Sequence, residues 1–64
     1  CRSYTIYGTT SGDYHQASFI CCDGTSDFIQ IEDYDSETFC AQTGTVSDSG
    51  TGGVSEGGTC TSDC

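Results

Sequence analysis

The chain has no Lys, Leu, Met, Asn, Pro or Trp, and Arg2 is its one basic residue against ten carboxylates. A surface so poor in cations offers phosphate no attraction, which argues against nucleic acid as a partner. Without Asn there is no N-glycosylation site. The longest uninterrupted apolar run is Phe19 to Cys22, far too short to insert across a membrane. The missing Leu, Lys and Met also remove most of the strong helix formers.

What is present is 64 residues with six cysteines and a formal charge of -9. The apolar residues other than cysteine are two Ala, two Val, four Ile, three Phe and four Tyr. So small a set builds only a thin core, whose burial does not match the entropy of ordering the chain. Disulfides, each contributing about 2–4 kcal/mol, are the expected remedy. The fold class that follows is a small disulfide-rich all-β protein from an oxidising, extracellular compartment, hence secreted. Cys1-Arg2-Ser3 has no apolar leader, so the chain reads as a mature product cut just before a structural cysteine. Zinc is the competing use of cysteine, but only Cys60-x₃-Cys64 has ligand-like spacing, and no metal is expected.

Strand signals come in order along the first two-thirds of the chain. Arg2–Tyr7 alternates, with Tyr4 and Ile6 on one face. Gly8–Asp13 reads as a loop, and Ala17–Cys22 as a second strand. Asp23-Gly24 marks a hairpin into a third strand, Asp27–Glu32, with Ile29 and Ile31 on one side. After a turn at Asp33–Ser36, Glu37–Gln42 is the fourth strand. Together these predict an antiparallel meander of about four strands over residues 1–42.

Residues 43–64 form a Gly/Ser/Thr-rich segment, with six Gly between Thr43 and Thr59 and a cysteine clamp at the end. Gly44–Thr51 and Gly52–Thr59 match as two copies of an eight-residue repeat, too few for a solenoid. Two readings stand: short edge strands around Val46 and Val54, or a mobile loop tethered at Cys40 and Cys60. The adjacent Cys21 and Cys22 are expected to face opposite ways and not to bridge each other. Cys1 is an expected partner for one of them, the other partner coming from Cys40, Cys60 or Cys64. Thr59–Cys64 resembles one copy of the TCT-x-S repeat of beetle antifreeze proteins, a family that stacks many copies into an ice-matching ladder. No comparable period runs elsewhere in this chain, so ice binding is not expected.

Four places carry chemistry. His15 is the only histidine, and nothing in the spacing brings Glu32, Glu37 or Arg2 to it. It is expected as an exposed loop residue, and neither enzymatic activity nor a cofactor is expected. Asp33, Asp35 and Glu37 alternate like the opening of an EF-hand. Thr38 stands where that loop needs Gly, however, and Gly44 where it needs a terminal acid. A looser calcium site, adding Asp27 or Asp48, stays open. The third place is aromatic: Tyr7, Tyr14 and Tyr34, with Asp13, Asp33, Asp35 and Glu37, form the expected binding surface if the turns meet at one end. Its partner would be an extracellular protein or glycan surface, most readily a cationic one. The fourth is the Gly/Ser/Thr-rich tail, which with the 19 Ser and Thr residues of the whole chain suits O-glycans or assembly by strand addition. A structural subunit of a fibre, coat or matrix is therefore the alternative to a signal, toxin, inhibitor or effector.

Overall fold

The computed structural model describes residues 1–61. Six strands run as β1 (Arg2–Gly8), β2 (Tyr14–Ile20), β3 (Ser26–Glu32), β4 (Ser36–Ala41), β5 (Ser47–Gly50) and β6 (Gly52–Thr59). They form two three-stranded sheets, ordered β4-β1-β6 and β3-β2-β5, and every pairing is antiparallel. The small, disulfide-rich all-β class is therefore what the chain adopts.

The order of the strands departs from a meander. Of the strands adjacent in sequence only β2 and β3 pair, through the Asp23-Gly24 turn, where Gly24 has φ 95°. Every other connection crosses between the sheets. The physical reason is burial. β1 and β2 each present a row of apolar side chains that one sheet alone would leave wet, so each becomes the centre of its own sheet and the rows face one another. Tyr4, Ile6, Ala17, Phe19 and Ile31 are buried between them. Phe39 joins the layers, its ring stacked 4.3 Å from Phe19 and 5.8 Å from Tyr4. Val46 and Val54 fill in from the side, half-buried. Of the two readings of residues 43–59, the edge strands are the one realised, with each repeat copy on a different sheet.

The sulfur bonds gather at one end. Cys1 pairs with Cys22 and Cys40 with Cys60, with Cys22 Sγ and Cys40 Sγ 3.3 Å apart. Each ties an end of the β4-β1-β6 sheet, the first to the opposite sheet and the second from β4 to the end of β6, past the central strand β1. Cys21 is buried and also disulfide-bonded. It lies just past the end of β2, because its N–H and carbonyl close the hairpin turn with Thr25 and Gly24. Cys64, expected in the terminal clamp, lies outside the described residues, as do Ser62 and Asp63.

Candidate functional site

The end opposite the disulfides is built from two loops bonded to each other. The β1–β2 loop and the β3–β4 turn are joined by Asp33 N–H donating to the Asp13 carbonyl at 2.9 Å. The Asp33 carboxylate accepts from Gly12 N–H at 2.6 Å. Gly8 N–H donates to the Asp35 carbonyl at 3.0 Å. Sequence dictates this closeness at two points. A Cβ on Gly8 would overlap the Asp33 carbonyl oxygen, so only glycine lets β1 end against the turn. Asp33 itself sits at φ 55°, a conformation that Asp tolerates better than most residues and that its bond to Gly12 holds in place.

This zipper brings together most of the expected surface. Asp13, Asp33, Tyr34 and Asp35 share the end, exposed to solvent. Tyr14 opens β2 beside them, directly opposite Glu32. Gly12, Asp13, Tyr14, Glu32 and Asp33 line a depression of about 210 Å³ there. Tyr14 was expected in a turn and is instead a strand residue, because β2 starts three residues earlier than Ala17. It remains 53% exposed and Tyr34 69%, so neither tops up the core. Tyr7, at the same end of β1, lays its ring over Gly53 and is 40% exposed. Glu37 follows the turn on β4. Arg2, by contrast, is at the stapled end, 3.4 Å from the Gly57 carbonyl. The molecule is thus electrically lopsided, with its lone side-chain cation far from its densest carboxylates.

His15 requires a correction. It is neither in a loop nor exposed: its relative exposure is 0%. Because β2 begins at Tyr14 and not at Ala17, the inward row reads His15, Ala17, Phe19. Nε2 lies 2.8 Å from Asp48 Oδ2, and Nδ1 lies 3.2 Å from the Tyr7 carbonyl. Both neighbours are acceptors, so the ring donates to both as imidazolium and to one of them in either neutral tautomer. The imidazole thereby joins β2 to β5 and to the other sheet.

The repeat explains a second pair of contacts. Its two acids, Asp48 and Glu56, occupy equivalent positions. Asp48 bonds His15 on the central strand of one sheet, and Glu56 accepts from Tyr4 Oη at 3.0 Å on the central strand of the other. Both stand opposite core residues in the register, Ala17 and Tyr4. The same holds for Glu37 on β4, opposite Ile6, and Asp27 on β3, opposite Phe19. Every edge strand therefore carries one carboxylate on its core-facing side, where residues directly across share a face.

As to a cation, the carboxylates of Asp33, Asp35 and Glu37 do not converge with Asp27 or Asp48 among the described residues. Among the described residues the one close group of soft ligands, Cys1, Cys22 and Cys40, consists of disulfide sulfurs. Among the described residues no helix is long and apolar enough to cross a membrane. No family model, curated protein or solved structure matches the chain.

Proposed function

We propose that the chain is a secreted recognition protein that binds a cationic protein surface through its acidic, tyrosine-bearing end. The observation that carries this reading is the bonded pair of loops, which holds Asp13, Asp33 and Asp35 beside exposed Tyr14 and Tyr34. Tyrosines supply rigid contact area with few torsions to freeze, and the carboxylates steer a positive partner. Pre-bonded loops lose little further freedom on binding, which favours affinity from a small patch. Disulfides at the far end leave this end unencumbered and suit an extracellular setting.

The fibre alternative draws less support. Open strand edges are the route to assembly by strand addition, and all four edges carry an inward-pointing acid, a device that opposes such pairing. The carboxylates do here what lysines do in other sheets.

The test is a titration of the oxidised protein with an oligo-arginine peptide, followed residue by residue by NMR. Amide shifts should centre on Gly12, Asp13, Asp33 and Tyr34 and weaken as salt is raised. Shifts spread evenly over all carboxylate-bearing strands would contradict a dedicated site.

A further inference from the structure

The outer face of the β3-β2-β5 sheet carries a second feature, independent of the acidic end. A groove of about 470 Å³ runs over β2 between the two edge strands. The register sets Gln16 beside Ser49, and Ser18 between Ser47 and Phe28. Gln16 Nε2 approaches Ser49 Oγ at 3.4 Å, so amide and hydroxyls already lie in one layer. Phe28 lines the groove and is 66% exposed, a large apolar ring left in water by a chain that has few to spare. Asp48 borders the groove, yet its carboxylate turns to His15. The outward side chains of this stretch are therefore uncharged, on a protein whose formal charge is -9.

From this chemistry we infer that the groove is a binding site for a neutral saccharide chain. A pyranose ring has an apolar C–H face and a rim of hydroxyls that both donate and accept. Phe28 offers the flat partner for the first. The amide of Gln16 and the hydroxyls of Ser18, Ser47 and Ser49 offer matched donors and acceptors for the second. A cationic ligand would find only Asp48, whose carboxylate is already engaged by His15, and an anionic one would be repelled by the protein as a whole. Added strands would seek the sheet's edges, whereas this groove lies on its face. The volume falls in the range of small-ligand sites and suits one or two sugar units.

The experiment titrates the labelled, oxidised protein with cellohexaose, maltohexaose, chitohexaose and a linear mannan fragment, with a heparin fragment as the anionic counterpart. At least one neutral probe should shift the Gln16 side-chain amide and the backbone amides of Ser18, Ser47 and Ser49. It should also receive saturation from the Phe28 ring, while heparin leaves these signals unmoved. Phe28→Ala, at a site too exposed to disturb folding, should weaken binding by about tenfold or more, and Phe28→Tyr should retain it. Asp33→Asn with Asp35→Asn should leave it unchanged. Silence from every neutral probe, shifts confined to the acidic end, or undiminished binding by Phe28→Ala would each overturn the inference.

Discussion

His15 Nε2 and Asp48 Oδ2 stand 2.8 Å apart, joining a fully buried imidazole on the central strand β2 to a half-exposed carboxylate on the edge strand β5. β5 is only four residues long and all of it is exposed, so beyond its backbone pairing with β2 it buries little against the sheet. Asp48→Ala would strip the ring of one partner, and water can replace it only in part. A loss of about 1–2 kcal/mol is expected in denaturant unfolding with the disulfides intact. Ser49→Ala, one residue along and facing outward, should cost less than about 0.5 kcal/mol.

The edge carboxylates yield a second expectation. Asp27→Val combined with Glu37→Val should let strands of neighbouring molecules pair, seen as a concentration-dependent rise in mass by light scattering. Glu32→Val combined with Asp13→Val removes as much charge away from the core-facing side of the edges and should stay monomeric. Equal association by both pairs would mean that net charge alone, and not the inward placement, keeps the chains apart.

Asp23 anchors the β2–β3 turn by accepting from Thr25 N–H at 3.0 Å and Thr25 Oγ1–H at 2.7 Å. These bonds, the hydroxyl's first, hold its carboxyl below the ordinary value of 3.8. A depressed folded value means the stabilising effect is present above the unfolded value and is lost as pH falls through the folded one. Carbon-detected NMR should find Asp23 titrating below 3.8, and Thr25→Val should return it upward. An unchanged midpoint in that variant would show that the turn's hydroxyl is not the cause.

Much of the fold was legible because alternation survives in β1 and β3: Tyr4 with Ile6, and the two isoleucines of β3, lie as the period of two requires. The Asp-Gly turn also followed from the residues themselves, as did a bridge from Cys1 to the adjacent cysteines, although which of Cys21 and Cys22 takes it did not. Strand order did not, because a short chain with two apolar rows can form a meander or a sandwich with the same local signals. Only the need of β1 and β2 to cover each other decides it, and that is a long-range demand. The acidic end was foreseeable as a set of residues, since turns in a small sheet converge. The pairing of His15 with Asp48 was not, because a single polar residue in an apolar row reads as the row's end. Phe28 carries the converse ambiguity: the period of two puts it on the face of β3 away from Ile29 and Ile31, where a single aromatic residue marks no site by itself.

Gly8 tests the construction of the acidic end. Gly8→Ala must push β1 away from the Asp33 carbonyl, at an expected cost of about 1–3 kcal/mol. The bonds from Gly8 to Asp35 and from Asp33 to Asp13 should open together, reported by faster hydrogen exchange at both amides. Exchange that stays slow at Asp33 would show that the two loops are not held as one unit.

The most direct test of the recognition reading compares two triple variants that each remove three negative charges. One is Asp13→Asn, Asp33→Asn and Asp35→Asn, at the acidic end. The other is Asp23→Asn, Asp27→Asn and Glu56→Gln, spread over the rest of the molecule. Affinity for an oligo-arginine peptide should fall about tenfold in the first and far less in the second. Equal losses in the two would show that the chain attracts cations as a uniform polyanion, with no dedicated end.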